Sequence, residues 1–358
     1  MVLLKVLPIA SLLALFSRPA HTFLAPHCTE SLVSVTASAT NFDLSSGSLP
    51  DVATVPVNGT FKVKLRFCEP TVHIRGRADT LQVVVHGLTY GRLYMDPDFE
   101  PDTYSWVRWA AAHGYPTLNM DRLGYGESDH PDPISIVQAP FDGAFMAQII
   151  RLARAGRVAG AHRPFKKVVY VGHSFGSRVG NQVISTAPDV VDAAILTGYG
   201  HKIGNPGTAV YPPANEVDPA RFGDLPSGYI TSPDIQSRAA GFYGPEGTYD
   251  PAILAWDEAH KDTASAGEFA FLTQTKDGVV EVPAPNFKGD VFKVSGDSDL
   301  FVCTEPKCAN LAKEGPNYPV ARSYEFAVIP NAGHCLNMHY TAPLFYKTLL
   351  DWLNRHGY

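Results

Sequence analysis

The segment Gly172-His173-Ser174-Phe175-Gly176 constrains the fold of this chain more than any other feature. It follows an apolar run at 167–171 that is typical of a strand, and it precedes a stretch at 177–186 with helical spacing. A serine on such a sharp strand-to-helix turn needs small residues two positions before and after it, because the chain folds back on itself. The pattern predicts that Ser174 is a nucleophile at the positive end of a helix dipole. The alternative is a glycine-rich turn with a capping serine.

Strand and helix patterns alternate along most of the chain, which predicts an α/β fold with a mostly parallel central sheet flanked by helices. An N-terminal β extension precedes this core, and its residues 61–67 alternate between apolar and basic side chains. The stretch 199–286 breaks the alternation, and we expect it to be an inserted lid over the ligand-binding edge of the sheet. The expected division is 1–22 leader, 23–80 β extension, 81–198 core, 199–286 lid and 287–358 core.

The ends of three further predicted strands carry polar side chains suited to acyl transfer. His86-Gly87-Leu88 follows the strand at 81–85, where a glycine lets the backbone approach the reacting carbonyl. We expect the backbone N–H groups of Leu88 and Phe175 to form an oxyanion hole. The loop that begins at Asp121-Arg122 follows another strand, and we interpret it as structural support for the site.

The acid and the base are expected after the last two strands. Asp297 and Asp299 both follow the strand at 291–294, and Asp299 is favoured because its turn is complete before the carboxylate projects. His334 follows the strand at 324–329, and His339 is its competitor. The order Ser174, Asp299, His334 is that of a serine–acid–histidine triad. His173, inside the serine turn, is interpreted as a packed neighbour.

These motifs together resemble the α/β-hydrolase superfamily from about residue 81 to the C-terminus, and within it the chain is most similar to secreted fungal members. The resemblance implies a Ser-Asp-His triad, no metal and no organic cofactor, and hydrolysis of esters or related acyl compounds. Haloalkane dehalogenases and epoxide hydrolases resemble this fold but have an aspartate at the position of Ser174. The resemblance therefore disfavours those two reactions.

The sequence predicts a serine hydrolase of the carboxylic ester class, acting on a small-molecule ester, lactone or small amide. The alternative is a non-hydrolytic enzyme of this fold, an acyltransferase or lyase, or a protein that only binds a small apolar metabolite. A net charge of −6 argues against nucleic acid as a partner. Aromatic side chains of the lid, with Trp256 as the residue to probe, are expected to line an apolar pocket.

The N-terminus and the cysteines predict secretion. Residues 1–22 have the layout of a signal peptide, with an apolar stretch too short for a membrane span of about 20 residues. We expect a mature chain that starts near Phe23, without stable membrane insertion; an uncleaved anchor is the alternative. The expected disulfides are Cys28–Cys68 and Cys303–Cys308, with pairing of Cys335 to Cys303 or Cys308 left open. The sequon at Asn58 predicts a glycan on a surface turn.

Overall fold

A computed structural model describes residues 22–47, 49, 51–205, 210–273 and 283–358. The expected signal peptide, apart from Thr22, lies outside the described residues. The strands are β1 Cys28–Phe42, β2 Thr54–Cys68, β3 Thr80–Val85, β4 Thr117–Met120, β5 Lys167–His173, β6 Ala193–Thr197, β7 Tyr229–Ile230, β8 Ala264–Ser265, β9 Asp290–Gly296 and β10 Ser323–Ile329. The α-helices are α1 Pro101–Tyr104, α2 Trp106–Ala112, α3 Ala139–Arg154, α4 Phe175–Thr186, α5 Ala214–Val217, α6 Pro219–Phe222, α7 Ile235–Phe242, α8 Pro251–Ala259, α9 Ala266–Thr273 and α10 Ala342–Arg355.

The central sheet has the order β1-β2-β4-β3-β5-β6-β9-β10. Within the described residues, its last six strands in this order, β4, β3, β5, β6, β9 and β10, are parallel to one another. Its two faces are both covered, since Val168 and Tyr170 of β5 pack with α3 and α4 while Val169 and Val171 pack with α2 and α10. Each such valine stabilises the fold by about 1.5–3 kcal/mol. The predicted fold class is confirmed.

The N-terminal residues extend the central sheet by two strands, of which β1 is the edge. Strands β1 and β2 make an antiparallel hairpin, and β2 also pairs with β4, so the extension is continuous with the sheet. The predicted alternation at 61–67 places Val63 and Leu65 in the core. Asn58 has an exposed side chain, but it lies within β2, so the expected turn at the sequon is wrong. Pairing with β1 keeps this segment extended in spite of Gly59.

The insertion between β6 and β9 contains α5–α9 and the short hairpin β7–β8, and we call residues 199–286 the cap. Its residues Phe242 and Phe269 lie over the carboxyl end of β5, beside Ser174. Part of the glycine- and proline-rich start of the cap lies outside the described residues. The cap therefore forms one wall of the space beside Ser174, at the carboxyl ends of the strands.

Two cysteine pairs lie at bonding distance, Cys28 with Cys68 and Cys303 with Cys308. The first pair joins the open ends of the β1–β2 hairpin, and the second closes a short loop after β9. Cys335 is buried with a free thiol beside the carbonyl of Phe242. No helix in the described part of the chain is long and apolar enough to cross a membrane.

Candidate active site

Ser174 sits on a strained turn between β5 and α4. Its backbone has φ 53° and ψ −121°, a conformation that costs a non-glycine residue about 1–3 kcal/mol. A Cβ atom on Gly172 would come within 2.7 Å of the Ser177 Cα, and a Cβ on Gly176 would meet the Val85 carbonyl. Both glycines are therefore required sterically. The hydroxyl of Ser174 is directed toward His334 rather than used as a helix cap.

His334 joins the serine to an acid. Its Nε2 atom lies 2.8 Å from Ser174 Oγ, and its Nδ1 atom lies 3.0 Å from each carboxylate oxygen of Asp299. The ring is 2% exposed and packs on the ring of Phe301, with 4.6 Å between centroids. Because Asp299 accepts the Nδ1 proton, Nε2 is left as the acceptor for the serine hydroxyl.

Asp299 is fully buried, and both of its carboxylate oxygens accept hydrogen bonds from the protein. It accepts hydrogen bonds from Ser295 Oγ at 2.6 Å and from the backbone N–H groups of Phe301 and Val302 at 2.9 and 3.2 Å. Asp297 is partly exposed and accepts from Ser298 Oγ, its neighbour in the turn. The structure brings Asp299, and not Asp297, to His334.

The two expected oxyanion donors flank the serine. Phe175 is the first residue of α4, so its N–H is among those that lack a partner within the helix. Gly87 packs so closely that a Cβ there would lie 2.8 Å from the Ser174 Cβ. Leu88 and Phe175 line the same pocket as Ser174 and His334. Both residues thus lie beside Ser174, where the oxyanion-hole donors are expected, and Ser174 stands at the positive end of α4.

The other candidate histidines have structural partners. His339 Nε2 accepts from the N–H groups of Gly244 and Gly333 at 2.9 and 3.0 Å, and this tie joins the cap to the loop that carries His334. Burial lowers the pKa of His339 to about 4. His173 packs on Tyr94, with 4.3 Å between ring centroids, and burial holds its pKa well below 6.5. Sequence reasoning missed the contacts of His339, which no motif signals.

The neutral form of His339 predicts a loss of stability in acid. The unfolded chain protonates this histidine near pH 6.5, but the folded protein does not until about pH 4, so the free energy of unfolding falls as the pH drops through that window. The loss from this one residue is about 1.5 kcal/mol between pH 6.5 and 5. Urea unfolding of the wild type and of His339→Gln at both pH values measures it.

The comparison removes the effect of other groups, such as Asp262, whose pKa burial raises to about 6 and which acts in the opposite sense. The glutamine keeps an acceptor but does not titrate, so the variant should lose less stability on acidification. Equal losses in the two proteins would contradict the prediction.

A narrow, mostly apolar pocket leads to the serine, with a solvent-accessible volume of about 50 Å³. Besides Leu88, Ser174, Phe175 and His334, it is lined by Arg178, Gly198, Tyr199, Gly200, Ile203, Tyr211, Phe242, Phe269, Leu272, Phe301 and Val302. Trp256 is not among these residues; its indole donates to Asp98 and its ring stacks on His260. The expectation that Trp256 lines the pocket is therefore wrong, because the residue lies on the outer side of α8.

Among the described residues, no group of three or more His, Cys, Asp or Glu side chains is placed to hold a metal ion. The described side chains form a hydrogen-bonded series of hydroxyl, imidazole and carboxylate, and the backbones of Leu88 and Phe175 lie beside it. That arrangement suits nucleophilic attack on a carbonyl carbon.

Sequence comparison places this arrangement in a family. Residues 82–345 match the model of the alpha/beta hydrolase family, so the chain belongs to that family. No curated protein matches the chain. The matched residues include the carboxyl ends of the parallel strands that carry the site. The N-terminal hairpin β1–β2 lies outside the match.

Solved structures share the fold at low sequence identity. A thermophilic esterase from Thermogutta terrifontis, with malate bound, is 16% identical with a TM-score of 0.57, over 91% of this chain and 99% of that one. An enol-lactonase from Burkholderia xenovorans LB400 is 18% identical with a TM-score of 0.51, over 82% and 97%. E-2-(acetamidomethylene)succinate hydrolase is 20% identical with a TM-score of 0.51, over 82% and 96%. The fold is thus one that known hydrolases use.

Proposed function

We propose that this protein is a serine hydrolase that cleaves a small, uncharged carboxylic ester through an acyl-enzyme. The observation that carries the proposal is the continuous hydrogen-bonded series Ser174–His334–Asp299 at the end of an apolar pocket. Ser174 Oγ attacks the ester carbon while His334 Nε2 takes its proton, and Asp299 stabilises the imidazolium. The oxyanion accepts hydrogen bonds from the Leu88 and Phe175 amides. His334 then protonates the leaving alkoxide, which departs as the alcohol.

The second half of the reaction uses water as the nucleophile. His334 removes a proton from water, the hydroxide adds to the acyl carbon, and collapse of the second oxyanion releases the acid and returns the proton to Ser174. The esterase and lactonase among the structural neighbours favour esters and lactones over amides as substrates. A panel of p-nitrophenyl esters of increasing chain length tests the proposal. Adding alcohol acceptors and assaying new ester distinguishes hydrolysis from acyl transfer.

The narrow pocket predicts a preference for short acyl chains, which Phe269 helps to impose. The Phe269 ring lies 4.9 Å from that of Tyr211, and both side chains close the cap side of the pocket. Phe269→Ala should raise kcat/KM for an octanoyl ester relative to an acetyl ester by about ten-fold, because a methylene in an apolar pocket is worth about 1 kcal/mol. Trp256→Ala, outside the pocket, is the matched control and should leave the ratio unchanged. An unchanged ratio in Phe269→Ala would contradict the prediction.

We also propose that the protein is secreted, with the mature chain starting near Phe23, as in the secreted fungal members that its motifs resemble. The proposal is supported by the leader-like sequence and by two cysteine pairs at bonding distance. Intact-mass analysis of exported protein, before and after alkylation, should show one free thiol and no leader. An N-terminus at Met1 or five free thiols would contradict it.

A further inference from the structure

The short loop 86–89, which we call the oxyanion loop, is held on one side by a buried arginine. Arg122 Nε donates to the His86 carbonyl at 3.1 Å, and its Nη2 lies 3.4 Å from the Gly87 carbonyl. The Arg122 backbone N–H donates to His86 Nε2 at 3.0 Å, so the His86 Nδ1–H donates to the Gly87 carbonyl at 2.8 Å. Because the carbonyl and N–H of one peptide unit point in opposite directions, these bonds aim the Leu88 N–H away from Arg122.

Two carboxylates lie beside Arg122: Asp142 of α3, 3.7 Å from Nη1, and Glu268 of the cap, which makes the closer ion pair. Glu268 in α9 is fully buried and forms an ion pair with Arg122 Nη1, and its other oxygen accepts from Tyr125 OH at 2.6 Å. Glu268 also closes a reciprocal cap with Ser265 at the start of α9, at 3.0 and 3.1 Å. The Ser265 pair alone would satisfy that helix end. The bond to Arg122 therefore reaches beyond what α9 itself requires.

A second buried ion pair holds the other end of the loop. Thr89 has a left-handed backbone, φ 57°, and its carbonyl and hydroxyl oxygens accept from Arg238 at 3.3 and 3.2 Å. Arg238 forms a fork with Asp257 at 2.7 and 2.9 Å, and both residues belong to the cap and are buried. The Thr89 backbone also pairs with the cap segment 262–263. Cap contacts thus bracket the Leu88 amide on both sides.

We infer that the cap is a positioning element of the oxyanion hole: Glu268 acts through Arg122, and Asp257 through Arg238, to hold the Leu88 N–H toward the oxygen that develops beside Ser174. A buried arginine that lost its carboxylate would shift toward other partners, and the Gly87 and Thr89 carbonyls would each lose one of the donors that orient them. The inference rests on the proposed function. It assigns the cap a part in the chemical step besides its part in binding.

The test measures transition-state stabilisation separately from binding. In Glu268→Gln, kcat on a p-nitrophenyl ester should fall about 10–100-fold while KM changes less than about three-fold, since an interaction made only in the transition state lowers kcat alone. Affinity for an aryl trifluoromethyl ketone, which forms a tetrahedral adduct with the serine, should fall in parallel with kcat. Arg122→Lys keeps the charge beside Glu268 but cannot reach both carbonyls, and it should behave in the same way.

Two further variants keep the result decisive. Glu258→Gln in α8 removes a carboxylate that pairs with Lys261 and does not touch the loop, so kcat should equal that of the wild type. Tyr125→Phe removes only the hydroxyl on Glu268 and should lower kcat about three-fold, which decides the matter if Glu268→Gln does not fold. A folded Glu268→Gln or Tyr125→Phe with wild-type kcat, or with a raised KM alone, would overturn the inference. A wild type without ester hydrolysis would instead overturn the proposed function.

Discussion

Replacing Ser174 by alanine should lower kcat for ester hydrolysis by roughly 10⁴-fold or more and leave the fold intact. The substitution removes the only atom that attacks the ester carbon in the proposed reaction, and the loss of a triad nucleophile leaves only the contributions of the oxyanion hole and of substrate binding. Among the described residues the hydroxyl bonds to His334 alone, and it fills no core volume. The left-handed backbone at this position suits alanine no worse than serine. Initial rates on a p-nitrophenyl acetate assay of purified protein measure the effect.

The matched control is Ser177→Ala, three residues on in α4. The Ser177 hydroxyl donates to the Thr197 carbonyl at 2.8 Å and does not reach His334. That variant should lose some stability and keep most of its activity. Labelling with a fluorophosphonate probe should disappear in Ser174→Ala and persist in Ser177→Ala. A Ser174→Ala protein that kept more than a tenth of wild-type activity would contradict the proposed function.

The central strands could be predicted because their sequences are mostly apolar, as expected of buried strands. The segments that form β3 and β5 are nearly continuous apolar runs, and such runs suit strands covered on both faces. The N-terminal hairpin was predicted only in part. The first half of β2 contains Pro56 and Gly59, which lower strand propensity, and pairing with β1 overrides that preference. The length of the hairpin is thus a tertiary property.

The site residues also divide into those that local sequence identifies and those whose contacts depend on the tertiary structure. Ser174 and His334 stand in short turns directly after strands, so the chain order and the glycines identified them. Glu268 and Arg122 are 146 residues apart, and their contact depends on how the cap folds back over the sheet. The Ser-x-x-Glu pattern at 265–268 predicts only a helix start. A local motif could not reveal that the same carboxylate anchors Arg122. The prediction that Trp256 lines the pocket was wrong because an aromatic residue on a cap helix can face outward.

Asp299→Asn should lower kcat by about 10³–10⁴-fold, while Asp297→Asn should change it less than about two-fold. An asparagine at 299 keeps the volume, and its oxygen still accepts from the Phe301 and Val302 amides. Its NH₂ group then takes the place of Oδ2, 3.0 Å from His334 Nδ1, where it favours the tautomer with the proton on Nε2. That tautomer cannot accept the proton of Ser174, and the imidazolium also loses its counter-charge.

Asp297 is the matched control, because it lies two residues away in the same turn. Among the described residues, Ser298 Oγ is the one side-chain group that donates a hydrogen bond to its carboxylate. Steady-state kinetics of both variants, with thermal unfolding to verify the fold, separate the two roles. The KM of Asp299→Asn should stay near that of the wild type, since the carboxylate lies behind His334 and does not line the pocket. A larger kcat loss in Asp297→Asn than in Asp299→Asn would reverse the assignment, and comparable losses would point to a disrupted loop after β9 instead of a lost acid.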